Sequence, residues 1–460
     1  MAKEKRILEI VNTLQKAGGT SYYVGGYCRD LHLGLSPKDI DIEIHGLSYV
    51  QVERILSKYG EIDQKGKSFG VYKIKNFDVD FSLPRKESKY GPGHKDFQIT
   101  FKPLIGIEEA LRRRDFTINA IATNIATNET IDPFGGKRDL EDKTLRVVDP
   151  KTFVEDPLRV LRGAQFCARF GLKAAEETLT LSKGMRGTYN SLPKERVFGE
   201  LKKLLTASQS PSIGIQFLKD ADWLEYWPEL NNLWGIPQDP GNHPEGSVEC
   251  HILEAVDRAA WLKDLVCEED RLIYMLACLL HDIGKYTHTF YRTEPKKLRH
   301  WKEKRPKNSR IVTYGHDSAG IEPAKRFLER ITEDKEILCR VPRLVGFHMK
   351  PLLSRGWKPK AYRKIAKEGC EMRLIGIISW ADKGKKNSDW FHTIEKLTLN
   401  GPKETCIGDR DLIDRGYREG EEVGKIIQRC EDIFIKTGIT DPEELLRRAK
   451  ASRMGRHRAS

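Results

Sequence analysis

The chain has 460 residues, too long for a single hydrophobic core, so several domains are expected. Its formal net charge of +13 suits a polyanionic partner such as a nucleic acid. The nine scattered cysteines include no Cys-x-x-Cys pair, which argues against a thiolate zinc site or a disulfide scaffold and favours a reducing cytoplasm. No apolar run is long enough to span a bilayer, so no membrane partner is expected.

The first hundred residues predict a small α/β region with a mixed or antiparallel sheet. Apolar spacing predicts a helix over residues 4–17, which a pair of glycines ends. Alternating patterns predict four short strands, at residues 22–24, 38–44, 70–75 and 77–83. The polar, turn-rich stretch 84–97 predicts a loop. From about residue 106 onward the pattern is mostly helical.

Two carboxylates and a glycine turn lie close together near the start of the chain. Asp39 and Asp41 are two residues apart on a predicted strand, so their side chains share one face. Carboxylate oxygens suit Mg²⁺, and two such ions can clamp the attacking and leaving oxygens of a phosphoryl transfer. The turn that contains Gly26 lets backbone N–H groups approach a triphosphate, and Arg29 is placed to contact phosphate. Asp80, on another predicted strand, is a candidate third carboxylate.

A second polar segment, residues 111–120, contains three consecutive arginines. Asp115 and Asn119 lie four residues apart and form a polar face suited to a ribose hydroxyl. Arg114 is the preferred phosphate partner, although the spacing does not decide which of the arginines 112–114 points inward.

Asp156 and Arg159 lie three residues apart in a predicted helix and therefore on one face. A carboxylate accepts from the amine of cytosine or adenine, and a guanidinium donates to their ring acceptors. Uracil and guanine present a carbonyl in place of that amine, and an unpaired buried group costs about 1–3 kcal/mol. The pair is therefore suited to admit CTP and ATP and to reject UTP and GTP. A surface salt bridge of little energetic consequence is the simpler alternative.

The order of these motifs resembles the superfamily of class II tRNA nucleotidyltransferases and bacterial poly(A) polymerases. The motifs that carry the resemblance are residues 24–30 with 38–41, 111–120, 131–136, 155–162 and 194–200. The resemblance implies that residues 111–120 contact ribose and phosphates, and that Asp156 and Arg159 select the base. It also places Arg162 among the nucleotide-binding residues.

Histidines and aspartates recur in order between residues 248 and 385, and their side chains suit a divalent transition metal. Their order resembles the HD phosphohydrolase superfamily, which implies metal-dependent hydrolysis of a phosphoester, with Lys285 near the phosphate. The resemblance assigns four of them to one metal ion and two to a second. The first set is His251, His281, Asp282 and Asp382, and the second is His316 and His348.

The resemblance implies an α+β protein with a polymerase-beta-like head and an all-helical remainder. The expected domains are a nucleotidyltransferase head (1–145), a base-recognising neck (146–205), a body (206–400) with the HD domain at about 248–385, and a tail (401–460). Residues 408–413 and 439–446 resemble the C-terminal segment that grips tRNA in the family.

The favoured function is template-independent addition of CCA to the tRNA 3′ end from CTP and ATP, with release of pyrophosphate, by a monomer or homodimer. The alternatives are a specialist that adds only CC or only A, a poly(A) polymerase, and an HD phosphohydrolase with a vestigial transferase head. In the family that the motifs resemble, the segment between the catalytic carboxylates and residues 111–120 carries a flexible loop that CC-only enzymes lack. Here this segment is long and contains Arg85 and Glu87, so the sequence favours full CCA addition. The HD motifs argue against a poly(A) polymerase.

Overall fold

The computed structural model divides into two compact units, Met1–Pro228 and Glu229–Ser460. The residues that it describes are 2–37, 39–63, 70–89, 97–101, 104–293, 297–397, 407, 412, 413, 415, 417, 421–439 and 441–454. The side chains of residues 85–101 are not among those described, so Arg85 and Glu87 lie outside them, as do residues 408–411 of the motif at 408–413. None of the described helices combines the length and the apolar composition that a bilayer span requires.

The first unit is built on a seven-stranded sheet with the strand order β3-β4-β5-β2-β1-β8-β9. Its strands are β1 Thr20–Val24, β2 Asp41–His45, β3 Ile62–Asp63, β4 Val71–Ile74, β5 Phe77–Ser82, β8 Ala122–Asn124 and β9 Thr130–Ile131. Strands β2 and β5 run parallel, and the other neighbouring strands run antiparallel. The expected mixed sheet is thereby confirmed.

Two smaller pairs of strands complete the first unit. They are β6 Arg85–Lys89 with β7 Phe97–Phe101, which are antiparallel, and β10 Thr144–Leu145 with β11 Lys173–Ala174, which are parallel. The prediction of a loop over residues 84–97 is therefore wrong at its start, where β6 forms. The polar sequence of β6 lacks the apolar alternation that marks a half-buried strand.

Eleven helices begin in the first unit. They are α1 Ala2–Lys16, α2 Gly26–His32, α3 Tyr49–Leu56, α4 Ile107–Arg112, α5 Gly136–Glu141, α6 Pro150–Phe153, α7 Leu158–Phe170, α8 Glu176–Gly184, α9 Lys194–Thr206, α10 Pro211–Asp220 and α11 Pro228–Asn231. Short 3₁₀ turns occur at Thr117–Asn119, Arg186–Ser191 and Trp223–Tyr226. Helix α1 buries Ile7, Val11 and Leu14 in one core with Ile42 of β2 and Phe81 of β5, as its 3.6-residue apolar period predicts.

The second unit is mostly helical. Its helices are α12 Val248–Leu262, α13 Arg271–Leu280, α14 Lys285–His288, α15 His316–Ala319, α16 Ile321–Ile331, α17 Lys335–Phe347, α18 Lys350–Leu353, α19 Pro359–Lys367, α20 Met372–Lys383, α21 Ser388–Lys396, α22 Glu421–Thr437 and α23 Pro442–Met454, with 3₁₀ turns at Lys263–Leu265 and Glu268–Asp270. Helix α13 packs against α12, α17 and α20, and α12 also packs against α20. Because α13 lies at their centre, it is apolar on nearly all sides.

A three-stranded antiparallel sheet interrupts this helical unit, with the order β13-β12-β14. Its strands are β12 Phe290–Thr293, β13 Lys297–His300 and β14 Arg310–Val312. The expectation of an all-helical remainder is wrong here. The segment is rich in lysine and arginine on both faces, so it lacks the alternation of apolar and polar residues that predicts a strand.

Candidate active sites

Asp41 and Asp80 lie side by side on the parallel strands β2 and β5, where they are register partners. Asp39 is exposed in a bend just before β2, so the prediction that it shares a strand with Asp41 is wrong. Burial raises the pKa of Asp41. The negative charges of Asp80 and Asp39 raise it further, whereas the positive charge of Arg114 lowers it. Lys73 on β4 lies 2.8 Å from Asp80 Oδ1. The parallel pairing, which local sequence does not specify, is what brings residues 41 and 80 together.

These carboxylates fit a divalent metal ion. They offer hard oxygen donors, and the raised pKa of Asp41 shows that its negative charge is unfavourable where it stands. A cation bound between Asp41 and Asp80 would remove that penalty. Lys73 forms an ion pair with Asp80, whereas Asp41 forms none among the described residues.

The glycine turn before α2 is shaped by Gly25 as well as by Gly26. Gly25 has a φ of +69°, and a Cβ atom there would lie 2.6 Å from Arg114 Nη1. Arg114 in turn lies 3.6 Å from Glu43, which accepts a hydrogen bond of 2.9 Å from His45 when that ring carries its proton on Nε2. The turn therefore lets the backbone lie directly against the arginine that the sequence favoured as the phosphate partner.

Arg29 is buried and fully engaged by its neighbours. It donates to Asp30 Oδ1 from Nε and Nη2, at 2.9 and 2.7 Å, and to Asn119 Oδ1 from Nη1 at 2.6 Å. The ring of Phe170 lies 4.4 Å from its guanidinium carbon. Neither Arg29 nor Asn119 lines the cavity described below, so the structure places both behind the site.

Asp115 connects this buried group to α7. It accepts from Asn119 Nδ2 at 2.9 Å and from Arg162 Nε at 2.8 Å, and its Oδ2 forms an ion pair with Arg162 Nη2 at 2.7 Å. Burial acts to raise the pKa of Asp115, but the charge of Arg162 and these hydrogen bonds lower it to about 2. The carboxylate is therefore ionised at neutral pH and holds Arg162 in place.

A cavity of about 460 Å³ joins the carboxylates of the sheet to the start of α7. Its charged lining residues are Asp41, Glu43, Asp80, Arg113, Arg114, Asp115, Glu155, Asp156, Arg159, Arg162 and Arg196. The same cavity thus contains the sheet carboxylates Asp41 and Asp80, several arginines and the predicted base-selecting pair. Its charge pattern can hold a metal ion and a polyphosphate together.

Asp156 and Arg159 both line this cavity, and each is held by other residues. Asp156 accepts from the backbone N–H of Leu158 at 3.0 Å and lies 3.5 Å from Arg196 Nη2. Arg159 donates to the carbonyl oxygens of Thr152 and residue 113, at 3.0 and 2.9 Å. Because these contacts fix both side chains, the pair is oriented before any ligand arrives.

The six predicted HD residues form one buried cluster in the second unit. Their ligating atoms fall into two groups, each with all atoms within 4.8 Å of one another. The groups are His251, His281 and Asp382, and Asp282, His316 and His348. Asp282 also belongs to the first group by distance, because its Oδ2 lies 3.4 Å from His251 and 3.3 Å from His281, whereas its Oδ1 lies 3.1 Å from His316. Its carboxylate lies between the two groups.

The backbone fixes the tautomer of three of the histidines. His281, His316 and His348 each direct Nδ1 at a carbonyl oxygen, at 2.7, 2.6 and 2.7 Å. A carbonyl only accepts, so Nδ1 carries the proton and a neutral ring presents the bare lone pair of Nε2 to the cluster. His348 Nε2 is buried without a hydrogen-bond partner, and burial lowers the pKa of His348 to about 3.

These residues fit divalent metal ions. Oδ2 of Asp282 and Oδ1 of Asp382 are buried and accept no well-aligned hydrogen bond, although Lys285 Nζ lies 2.6 Å from the first and His251 Nε2 lies 2.9 Å from the second. Burial acts to lower the pKa of His281, yet Asp282 raises it above its usual value, so a positive charge is favoured at this point. These carboxylate oxygens and the inward nitrogen lone pairs together are donors that could hold metal ions.

Residues that the sequence did not single out support this cluster. Glu245 accepts from His251 Nδ1 at 2.6 Å and from His243 Nδ1 at 2.9 Å. Lys285, which the resemblance places near the phosphate, is buried on α14; it lies 2.6 Å from Asp282 Oδ2 and donates to Gln238 Oε1 at 2.6 Å. Gln238, His243 and Glu245 lie in the irregular segment before α12, so no periodic pattern could mark them.

Comparison with known proteins agrees with this architecture. Residues 21–146 match the family model of the poly(A) polymerase head domain, and residues 248–382 match that of the HD domain. The fold and the two sites therefore define a nucleotidyltransferase that also carries an HD domain, and domains of both kinds depend on metal ions.

Curated relatives match over most of the chain. The multifunctional CCA protein of Hahella chejuensis is 34% identical over 89% of this chain and 93% of its own length. That of Xanthomonas oryzae pv. oryzae is 37% identical over 89% and 96%. The chain therefore belongs to the family of multifunctional CCA proteins.

Solved structures show the same fold. The Bacillus stearothermophilus CCA-adding enzyme in complex with CTP has a TM-score of 0.66 at 18% identity and covers 100% of both chains. The Thermotoga maritima CCA-adding enzyme complexed with tRNA has a TM-score of 0.59 at 20% identity, over 97% of this chain and 95% of that chain.

Proposed function

We propose that this chain adds C-C-A to the 3′ end of tRNA from CTP and ATP and releases pyrophosphate. The observation that carries the proposal is the single cavity in which Asp41 and Asp80 share space with Asp156 and Arg159. A nucleotide bound there would place its triphosphate at the carboxylates and its base at the Asp/Arg pair. Family membership supports the same reaction.

Asp39, Asp41 and Asp80 would hold Mg²⁺ in the transferase site. The bound ions supply charge neutralisation for the attacking 3′-oxygen and the leaving pyrophosphate. Arg114, held against the Gly25 turn, neutralises the triphosphate from the other side. Asp115 keeps Arg162 at the cavity wall through a hydrogen bond to Nε and an ion pair with Nη2, and Asn119 supports Asp115 from behind.

Base choice depends on the hydrogen-bonding edges of Asp156 and Arg159. Each side chain is anchored on one side, which leaves its remaining polar atoms free to read the amine and ring acceptor of cytosine or adenine. Arg196 on α9 acts as a positioning residue, because it lies beside the carboxylate that must accept from the base. Asp156→Asn, which adds an amide donor, is expected to weaken the preference for CTP and ATP over UTP and GTP.

Full CCA addition is preferred over a specialist that adds CC or A alone. The segment between the sheet carboxylates and α4 is long and begins with the strand pair β6 and β7, which supports the presence of the loop associated with A addition. A poly(A) polymerase is disfavoured by the HD site, and a vestigial head is disfavoured by the complete charged lining of the cavity.

The test uses tRNAs that lack the whole CCA end, lack only the final A, or are complete, with each NTP alone and in pairs. Three added nucleotides on the first tRNA with CTP plus ATP, and none with UTP or GTP, are expected. Arrest after two cytidines would identify a CC specialist, and extension of the second tRNA alone would identify an A specialist. Long adenosine tails on any RNA would identify a poly(A) polymerase.

A second reaction, hydrolysis of a phosphoester, is proposed for the HD cluster. His251, His281 and Asp382 would hold one divalent transition metal, His316 and His348 a second, and Asp282 would lie between them. Bound metal of this kind supplies Lewis-acid activation of water and phosphate. Glu245 orients His251, and Lys285 neutralises Asp282. Loss of hydrolysis in His281→Ala, with unchanged CCA addition, is the expected result.

The proposal keeps the four domains with boundaries at 145, 205 and 400. The tail beyond residue 401 contributes to tRNA binding, and the chain acts in the cytoplasm as a monomer or a homodimer. Light scattering of the purified chain with and without tRNA tests the oligomeric state.

A further inference from the structure

The segment 290–312, which forms the sheet β13-β12-β14, carries an extreme charge. Its 23 residues contain nine lysines and arginines and two glutamates, a net charge of +7 out of +13 for the whole chain. This charge is far above what solubility of one small sheet requires. A concentration of positive charge in so short a segment indicates a polyanionic partner at this place.

Several of these positive side chains lie on the surface and are not neutralised within the part of the chain that the structure describes. Lys297, Arg299, Lys304, Lys307 and Arg310 are all exposed, and they form no ion pair with an acidic side chain in the described part of the chain. Such unpaired cations remain available to phosphate groups.

One face of the sheet also presents half-exposed apolar and aromatic side chains. The strand register places Arg292 between Leu298 and Arg310, and Phe290 between His300 and Val312, so that these six residues share the face. We call this face, together with the exposed Lys304 and Lys307 of the connection between β13 and β14, the basic face. The ring of Phe290 contacts those of His300 and His288, with centroids 5.8 and 6.2 Å apart. Interleaved aromatic and cationic side chains are the surface that unpaired bases and their phosphates bind.

Both ends of the sheet are attached to the HD cluster. Strand β12 follows α14, which contains Lys285, and β14 is followed four residues later by His316. His316 Nδ1 donates to the carbonyl of Thr313, and Tyr314, 56% exposed, accepts from Arg292 Nη1 at 2.6 Å. An exposed aromatic ring therefore lies between the basic face and a predicted metal ligand.

From these observations we infer that the basic face binds the single-stranded 3′ end of an RNA and presents its terminal phosphoester to the HD cluster. The inference rests on the proposed hydrolytic function and assigns the surface that binds the substrate of that site. A free mononucleotide has no further phosphates for cations along a whole sheet, whereas an RNA strand has one per residue. A duplex has no unstacked bases for Phe290 and Tyr314.

The test compares two substrates that carry the same terminal 2′,3′-cyclic phosphate, a short single-stranded oligoribonucleotide and adenosine 2′,3′-cyclic phosphate. The variant Lys304→Gln/Lys307→Gln/Arg310→Gln removes three exposed charges from the full chain. Its matched control, Lys358→Gln/Lys360→Gln/Lys364→Gln, removes three exposed charges around α19 of the same unit. Tyr314→Leu tests stacking separately.

The first triple variant is expected to lower kcat/KM for the oligoribonucleotide about tenfold or more and to leave the mononucleotide within about twofold of the wild type. The slope of log(kcat/KM) against log[salt] should fall in magnitude by about 2, since each phosphate contact of a single strand contributes about 0.7. Unchanged oligoribonucleotide hydrolysis in that variant would overturn the inference. The cations would then serve to keep the edge strands of the sheet from pairing with another chain.

A failure of the hydrolytic function itself can be told apart. If the wild type hydrolyses neither substrate, the proposed HD activity is wrong. Fluorescence anisotropy of the labelled oligoribonucleotide then measures RNA binding and tests the basic face independently of hydrolysis. Affinity lost in the first triple variant and kept in its control then supports the basic face as an RNA surface. Equal affinity in both refutes it.

Discussion

Glu245→Gln tests whether a side chain outside the predicted metal ligands sets the metal affinity of the HD cluster. Glu245 is mostly buried and accepts from His251 Nδ1 at 2.6 Å and from His243 at 2.9 Å. The carboxylate fixes the tautomer of His251 and makes its Nε2 a stronger metal ligand. A glutamine amide of the same shape accepts a weaker hydrogen bond and therefore strengthens that ligand less. Loss of such a partner costs 10–100-fold in metal affinity, or about 1.4–2.7 kcal/mol.

The measurement is a calorimetric titration of the metal-free full chain with Co²⁺. Glu254→Gln is the matched control, because Glu254 lies on α12, the helix of His251, but is exposed and pairs only with Arg258 in the described contacts, at 3.0 Å. We expect the control to bind Co²⁺ like the wild type, and both variants to add CCA normally. A Glu245→Gln protein that binds Co²⁺ within about twofold of the wild type would refute the reasoning.

The remaining predictions concern the first unit. Asp39→Ala/Asp41→Ala should abolish nucleotide transfer and leave phosphoester hydrolysis intact; measurable transfer in this variant would contradict the metal site. Gly25→Ala should lower transfer, because its φ of +69° costs an alanine about 1–2 kcal/mol and its Cβ meets Arg114, whereas normal kinetics would show that the turn yields. Asp115, with a pKa lowered to about 2, stabilises the fold above its unfolded pKa near 4, and this contribution disappears as the pH falls through about 2. Unfolding free energies of the wild type should therefore lose roughly 2 kcal/mol more than those of Asp115→Asn between pH 5 and 2, and parallel curves would contradict this.

The fold of the first unit was predictable where local periodicity is strong. Helix α1 follows from the spacing of Ile7, Val11 and Leu14, and the strands β1, β4 and β5 lie within a few residues of their predicted positions. The bend at Asp39 was not predictable, because a carboxylate beside a strand looks the same in sequence whether it precedes the strand or belongs to it.

The chemistry of both sites was also visible in the order of the motifs. Two patterns can be read from the sequence alone. They are the spacing of Asp156 and Arg159 and the order of histidines and aspartates from His251 to Asp382. The family comparison confirms the class of protein that these signals predicted.

Tertiary structure alone decided how these residues are used. Asp80 lies beside Asp41 only because β5 pairs in parallel with β2. Arg29 donates hydrogen bonds to Asp30 and Asn119 only because α2 packs against the turn at Thr117–Asn119. Sequence spacing within one element reports which side chains share a face. It carries no information on which element lies opposite, because that depends on the packing of the whole core.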